Sequence, residues 1–240
     1  MKQETLILAS ASPRRRELIR TLGLPHRAIA ADVDETLPAG TEPRDYVERL
    51  SLRKAAAVAF GADVHPDESA IVIGSDTIVT ADGNVLGKPR DEEDAFGMLS
   101  MLAGRTHQVY SGLAVIRIPM AERIRELRPG SEEAWLESAR PLSGYRGDYG
   151  GFSFYGTDGG QEPAIAVGHC LTHVTMKPLT ERQIRSYIRK GESGDKAGAY
   201  AIQGAGAALV ERIEGDYFNV VGLPVSLLSS MLERLGVEVL

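Results

Sequence analysis

The sequence has 240 residues, of which 43% are hydrophobic, so the chain can bury a full core as one large domain or as two small lobes. Its 27 basic and 33 acidic residues give a formal charge of −6, which argues against nucleic acid as a partner and restricts any polyanion site to a local patch. No run approaches the roughly 20 apolar residues of a membrane-spanning helix, so no membrane partner is expected, and the single cysteine, Cys170, cannot form an internal disulfide, which predicts a cytoplasmic protein.

The first predicted elements are a strand and a helix, joined by a turn that suits an anion. The apolar run at 5–9 predicts a buried strand, and the apolar residues within 18–22 fit one face of a helix. Ser12 suits the N-cap of that helix and Pro13 its first position, and the free N–H groups at a helix start attract anions. The turn carries hydroxyl and guanidinium groups on Ser10, Ser12, Arg14, Arg15 and Arg16. It is either a phosphate-binding site or a capped helix with solvated arginines.

Two charged features in the next segment each allow two interpretations. A predicted strand at 27–31 is followed by three carboxylates, those of Asp32, Asp34 and Glu35, which form either a solvated loop or part of a site. A helix is predicted from 43 to 60, and Lys54 lies on its apolar face. This lysine either extends along apolar surface to reach water or points its ammonium group into a cleft.

The most informative apolar run is residues 70–79, which predicts a strand buried on both faces. Ser75, Asp76 and Thr77 interrupt it with three consecutive polar residues. A buried carboxylate is costly unless it is paired, hydrogen-bonded or bound to a metal. Asp76 is therefore a candidate site residue, unless it begins a tight turn between two short strands. Asp82 and Gly83 then predict a hairpin.

The middle of the chain predicts a helix at 91–103 and two long strands, 106–118 and 164–177, that are neighbours in a sheet. Between the two strands, 119–139 is charged and predicts one or two amphipathic helices, whereas 142–162 is rich in glycine and tyrosine and is typical of a long loop. We expect the aromatic residues between the two strands to form a small surface cluster, with stacking on a base or a partner chain as the alternative. These residues are Trp135, Tyr145, Tyr149, Phe152 and Tyr155.

The last part of the chain contains a capping box that begins with Thr180 and predicts a helix ending at Gly191. The glycine-rich segment 194–206 follows, in which the backbone can approach a ligand closely and the amide of Gln203 can bind a base edge. A simple connector is the alternative. A final helix is predicted from Pro224.

Five short motifs carry a resemblance to a known family. They are Leu-Ala-Ser-Ala-Ser-Pro-Arg-Arg at 8–15, Ser-Asp-Thr at 75–77, Gly-Lys-Pro-Arg at 87–90, Asp-Lys-Ala-Gly-Ala-Tyr followed by Ile-Gln-Gly within 195–204, and Val-Val-Gly-Leu-Pro at 220–224. Together they resemble the Maf family of nucleoside triphosphate pyrophosphatases. The resemblance covers 5–118 and 164–236, and it departs at 119–163, an insertion that is not associated with the family.

The resemblance implies an α/β fold similar to that of the inosine triphosphate pyrophosphatases: an elongated mixed sheet with flanking helices and two lobes around a cleft. Residues 1–240 are then a single domain with an inserted segment of unknown role. The resemblance also implies a homodimer. Pattern alone predicts neither the order of the strands nor the oligomeric state.

The resemblance further implies hydrolysis of a nucleoside triphosphate between its α- and β-phosphates, with dTTP and UTP as substrates. Asp76 matches the proton acceptor of the family. Three residues match positions credited with substrate choice, namely Arg14, Thr77 and Gln203. Three others match further polar site positions, namely Glu35, Lys54 and Lys88.

The chemistry of these residue types agrees with the resemblance. A triphosphate requires several cations, which are available on Arg14, Arg15, Lys54 and Lys88. Mg²⁺ or Mn²⁺ requires hard oxygen ligands, which Glu35 and Asp76 can supply. Two classes of function stay open at this point: a pyrophosphatase that removes surplus or modified pyrimidine triphosphates, and a nucleotide-binding regulator of septum formation with little or no turnover. A purine-selective pyrophosphatase is a further alternative.

Overall fold

The computed structural model describes residues 4–64, 69–118, 130–156 and 163–240, and within these ranges it contains one nine-stranded mixed sheet flanked by helices. The strands are β1 (Thr5–Ala9), β2 (His26–Ile29), β3 (Ala70–Ala81), β4 (Asn84–Leu86), β5 (Thr106–Ile118), β6 (Ser143–Gly147), β7 (Gly150–Gly156), β8 (Pro163–Met176) and β9 (Val210–Glu214). The helices are α1 (Pro13–Arg20), α2 (Pro43–Ala59), α3 (Glu92–Leu102), α4 (Glu132–Ser138), α5 (Glu181–Ile188), α6 (Tyr217–Val221) and α7 (Val225–Arg234). The predicted α/β class with a mixed sheet is confirmed.

The sheet is organised around its two longest central strands. The order is β2-β1-β3-β5-β8-β7-β6, with β4 paired to β3 and β9 paired to β8. β1 runs parallel to β2 and β3, whereas β3, β5, β8, β7 and β6 pair successively in antiparallel fashion. The two long strands predicted at 106–118 and 164–177 are neighbours, as expected. None of the described helices is both long and apolar enough to cross a membrane.

Helix α2 lies close against the centre of the sheet because two glycines leave room for its backbone. A Cβ atom at Gly74 would come within 2.0 Å of the carbonyl oxygen of Ser51, and one at Gly112 within 2.0 Å of the carbonyl oxygen of Val47. No real side chain tolerates such a distance, so α2 rests directly on β3 and β5. This contact places the inner face of α2, including Lys54, over the middle of β3.

Three apolar clusters meet around β3, and the polar residues of this strand lie between them. Val72 belongs to the cluster beneath α2, while Ile71 and Ile73 belong to the cluster on the opposite face with α1 and α7. Val79 belongs to a third cluster, which α3 and α5 share. The first half of β3 thus lies in one part of the core and its end in another. Residues 75–77 lie at the junction, which is where the two predicted lobes meet.

The described part of 119–163, the stretch predicted as an insertion, differs from its predicted structure. The stretch 142–162, expected to be a long loop, contains the hairpin of β6 and β7, which extends the sheet from the edge of β8. Trp135 and Tyr155 are buried beneath α2 with their ring centroids 5.0 Å apart, so the expected separate surface cluster is wrong for these two residues. Tyr145 and Tyr149 are exposed. Pairing with β8 is a long-range interaction that local composition does not reveal.

The described part of the insertion includes α4, which lies within the predicted helical stretch 119–139. Residues 119–129 and 157–162 lie outside the described residues, so the rest of the predicted helical stretch and the end of the predicted loop are not tested. The role of 119–163 as an insertion within one domain stays a prediction.

Candidate active site

The turn before α1 has the predicted helix-capping geometry. Ser12 is the N-cap, its Oγ accepts a hydrogen bond from the backbone N–H of Arg15 at 3.5 Å, and Pro13 is the first helical residue. The backbone N–H of Ser12 donates to Oγ of Ser10 at 3.2 Å. The turn is therefore shaped by its own hydroxyl groups, and the start of α1 faces a cavity.

Arg15 connects this turn to β3 and to the loop after α6. Its Nε donates to the carbonyl oxygen of Gly222 at 2.7 Å, and Nη2 donates to Oγ1 of Thr77 at 3.0 Å. Burial lowers the pKa of Arg15, an effect that attraction to Asp76 partly offsets. Arg15 thus holds three separate segments of the chain together at the cavity wall.

Lys54 lies between two carboxylates at the inner end of the cavity. Its Nζ is 2.6 Å from Oδ1 of Asp76 and 2.7 Å from Oε1 of Glu35. The side chains of Lys54 and Asp76 are each 10% exposed, whereas that of Glu35 is 57% exposed. Lys54 therefore points into the cleft, and Asp76 lies within a continuous strand and not at a tight turn. The structure thus decides how the two residues are arranged, and their role in a site stays a prediction.

Tyr46 is a cavity residue that the sequence analysis missed. Its hydroxyl donates to the carbonyl oxygen of Glu35 at 3.4 Å. Burial raises the pKa of Tyr46, and the nearby charges of Asp76 and Glu35 raise it further. Tyr46, Leu50 and Lys54 all line the cavity and follow each other at intervals of four residues on α2. The spacing of Tyr46 from Lys54 on a predicted helix could therefore have identified Tyr46 from the sequence.

The opposite wall of the cavity is formed by the glycine-rich segment. Nη1 of Arg14 is 3.5 Å from Oδ2 of Asp195, which also pairs with Lys196. The backbone N–H of Gly198 donates to the carbonyl oxygen of Gly87 at 3.1 Å and so ties this segment to the loop that carries Lys88. Gly198 has a φ of +68°, and a Cβ there would lie 3.0 Å from Val79, so a glycine is required.

A buried polar pair supports the same segment from behind. Nε2 of His107 and the hydroxyl of Tyr200 are 2.7 Å apart. Burial lowers the pKa of His107 to about 4 and raises that of Tyr200. His107 is therefore neutral at neutral pH, and the pair fixes the chain just before Gln203.

All ten predicted site residues line one cavity with a volume of about 560 Å³. They are Ser10, Ser12, Arg14, Arg15, Glu35, Lys54, Asp76, Thr77, Lys88 and Gln203. Apolar side chains also line the cavity, those of Val79, Val85, Leu86, Val109 and Ile202. The cavity thus combines a charged end with an apolar wall, an arrangement suited to a ligand with an anionic tail and a planar apolar part.

The described residues contain no group of three or more histidine, cysteine, aspartate or glutamate side chains that could by itself enclose a metal ion. Two carboxylates, those of Glu35 and Asp76, nevertheless converge on a single point, the Nζ atom of Lys54. Mg²⁺ is commonly held by one or two carboxylates together with phosphate oxygens of the substrate. The residues present therefore fit a divalent cation whose coordination a phosphorylated ligand completes.

Comparison with known proteins agrees with this geometry. The family model described as Maf-like protein matches residues 5–133 and 124–235. A dTTP/UTP pyrophosphatase of Pelotomaculum thermopropionicum is 41% identical over 235 residues, which cover 98% of each chain. A dTTP/UTP pyrophosphatase of Moorella thermoacetica is 42% identical over 234 residues, which cover 98% of this chain and 96% of the relative.

Among solved structures, a nucleoside-triphosphatase, also described as a dITP/XTP pyrophosphatase, from Mycobacterium abscessus is 17% identical to this chain. The match covers 47% of this chain and 64% of that protein, with a TM-score of 0.27. This similarity is too low to support any argument, so membership of a family rests on the family model and the curated relatives.

Proposed function

Because the chain belongs to the Maf-like protein family, we propose that it is a nucleoside triphosphate pyrophosphatase that cleaves dTTP and UTP to the monophosphate and pyrophosphate. The observation that carries this proposal is the position of Lys54 between Glu35 and Asp76, at one end of the cavity that the α1 turn also lines. A regulator that only binds nucleotides needs the cationic turn but not this set of three charged groups.

The cavity offers separate sites for the two ends of the substrate. The triphosphate is bound by the cationic groups of Arg14 and Lys88 and by the N–H groups at the start of α1. The pyrimidine lies against the apolar wall, where the amide of Gln203 binds its polar edge. Arg15 shapes the floor through Thr77.

We infer that Glu35 and Asp76 hold a divalent cation, Mg²⁺ or Mn²⁺, together with phosphate oxygens. When bound, such an ion neutralises charge on the triphosphate and on the departing pyrophosphate. Lys54 contributes a fixed positive charge beside this ion. Its charge stabilises the two carboxylates close to each other and also stabilises the negative charge that develops in the transition state.

We assign the role of proton acceptor to Asp76. One of its oxygens, Oδ1, accepts from Lys54, which fixes the carboxylate and leaves Oδ2 to take a proton from a water molecule. The oxygen of that water forms a bond to the α-phosphorus, and the bond from this phosphorus to the α,β-bridging oxygen breaks. The electron pair leaves with pyrophosphate, and the second product is the nucleoside monophosphate.

The test is a pyrophosphate-release assay with dTTP, UTP, dCTP, GTP and ITP, each with Mg²⁺, with Mn²⁺ and with a chelator. We expect turnover of dTTP and UTP that requires the metal ion. Tight binding without turnover of any triphosphate would instead support the regulator of septum formation, and a preference for GTP or ITP would support the purine-selective alternative. A homodimer, a cytoplasmic location and the lack of nucleic-acid binding stay predictions from the sequence.

A further inference from the structure

Glu35 is the least constrained of the three charged groups at the inner end of the cavity. It lies in a segment, 30–38, that has neither helical nor strand structure, and its side chain is more than half exposed. Lys54 and Asp76, in contrast, are carried by α2 and β3. A carboxylate on such a segment holds a 2.7 Å contact with Lys54 only if the backbone around it is fixed by other groups.

Side chains of α2 bind three consecutive carbonyl groups of this segment. Nη1 of Arg53 donates to the carbonyl oxygen of Asp34 and, at 3.3 Å, to that of Thr36. The hydroxyl of Tyr46 donates to the carbonyl oxygen between them, that of Glu35. A local turn, in which Oδ1 of Asp34 accepts from the backbone N–H of Thr36 at 2.8 Å, shapes the same three residues. Arg53 thus binds the backbone on both sides of Glu35.

Arg53 is itself held by the inserted segment. Its Nη2 pairs with Oε1 of Glu133 on α4, and its side chain is only 17% exposed. Glu133 also lies 3.5 Å from Nη1 of Arg49, whose Nη2 is 2.8 Å from Oε1 of Glu137. A planar guanidinium with five donors can bind two carbonyls and a carboxylate at once, which an ammonium group cannot do with the same geometry.

These contacts form a continuous connection from the insertion to the site. We propose that Arg53, supported by Glu133, is a positioning residue that fixes Glu35 beside Lys54, so that the inserted helix α4 contributes to metal and triphosphate binding. Arg53 and Lys54 are neighbours on α2, so one turn of that helix holds both the backbone and the carboxylate of Glu35. The inference rests on the proposed function and gives the insertion a role in it.

The first experiment compares Arg53→Gln and Arg53→Lys with the unaltered protein. Two experiments are made on each variant. Steady-state kinetics with dTTP and Mg²⁺ gives kcat and KM, and electron paramagnetic resonance gives the affinity for Mn²⁺ in the presence of a non-hydrolysable α,β-methylene analogue of dTTP. We expect Arg53→Gln to lower kcat/KM and Mn²⁺ affinity by roughly 10-fold or more, as for other groups that orient metal ligands. Arg53→Lys keeps the charge without the planar fork and should stay impaired.

A second comparison uses a matched control on the same two helices. Glu133→Gln removes the charge that supports Arg53 and should weaken Mn²⁺ binding about two- to fivefold. Glu137→Gln breaks the neighbouring pair with Arg49 without touching the Glu35 segment, and it should leave Mn²⁺ affinity unchanged. Equal losses of Mn²⁺ affinity in the two variants would overturn the role of Glu133, because such losses would reflect only how α4 packs on α2.

The decisive test repeats Arg53→Gln in a Glu35→Gln background. Because Arg53 acts through Glu35, its replacement should there change Mn²⁺ affinity by less than about twofold. A full additional loss in that background would overturn the inference, as would unchanged Mn²⁺ affinity in Arg53→Gln alone. If the unaltered protein releases no pyrophosphate from any triphosphate, the proposed function fails, whereas the Mn²⁺ measurements still decide the role of Arg53.

Discussion

The two sides of the cavity hold their charges in different ways. At the inner end, Lys54 and Asp76 are each 10% exposed, are 2.6 Å apart and are carried by a helix and a strand. At the outer rim, Arg14 and Asp195 are 29% and 64% exposed, are 3.5 Å apart and face each other across the opening. Buried charges on regular elements cannot exchange partners easily, whereas exposed charges on a rim can. The inner end is thus suited to the reacting atoms, and the rim to admitting and releasing the substrate.

The largest effect should come from the inner end. We expect Asp76→Asn to lower kcat by roughly 100-fold or more, because an amide cannot accept the proton from the attacking water. The measurement is the rate of pyrophosphate release from dTTP at saturating metal ion, and calorimetric binding of the non-hydrolysable analogue serves as the control for folding. Near-normal turnover in a folded variant would exclude Asp76 as the proton acceptor.

The ion pair between Lys54 and Asp76 should also contribute more to the free energy of unfolding than the pair at the rim. Lys54→Met leaves the carboxylate of Asp76 without its cation in a mostly desolvated place, so the free energy of unfolding should fall by about 3 kcal/mol. Urea denaturation measures this change. The double variant Lys54→Met/Asp76→Asn should recover most of the loss, since no buried carboxylate is then left without a partner and Glu35 is more than half exposed to water. A double variant as unstable as Lys54→Met would show that packing of the lysine chain, and not its charge, is what matters.

The buried pair of His107 and Tyr200, which supports the glycine-rich segment, should make the stability of the protein depend on pH. The pKa of His107 is about 4 in the folded protein, below its ordinary value of 6.5, so the unfolded chain binds the proton more tightly. The stability contributed by neutral His107 is complete above pH 6.5 and is lost as the pH falls towards 4, with a decrease of about 2 kcal/mol at pH 5. Urea denaturation at pH 7 and pH 5 tests this, with His107→Gln as the comparison. An equally large decrease in His107→Gln would assign the pH dependence to other groups.

How far the sequence predicts this arrangement depends on whether the signal is local. The α1 turn, the strand that contains Asp76 and the capping box at Thr180 were all predicted, because caps, apolar runs and turn residues act within a few positions. The convergence of Glu35, Lys54 and Asp76 could only be suggested, since a contact between residues 19 or more positions apart depends on how α2 packs on the sheet. The two glycines that allow this packing, Gly74 and Gly112, carry no local sign of it.

In the stretch predicted as an insertion, 119–163, local composition predicts the structure poorly. The glycine and tyrosine content of 142–162 indicated a loop, but the edge of β8 offers unpaired backbone groups, and pairing with β7 outweighs low strand propensity. The link from Glu133 through Arg53 to the Glu35 segment was also invisible in the sequence, because each contact joins residues that are at least 17 positions apart. Long-range electrostatic contacts of this kind leave no periodic pattern.

The smallest effect should come from the rim itself. Asp195→Asn removes the charge that pairs with Arg14 and Lys196, and because the side chain of Asp195 is well exposed, the free energy of unfolding should change by less than about 1 kcal/mol. The KM for dTTP should change by no more than about fivefold, and this change should shrink at high salt, since exposed charges are screened. Urea denaturation and steady-state kinetics at low and high salt measure both quantities. A loss of stability as large as that of Lys54→Met would mean that the rim pair is as firmly fixed as the inner one, and the division of the cavity into a reacting end and an exchanging end would no longer hold.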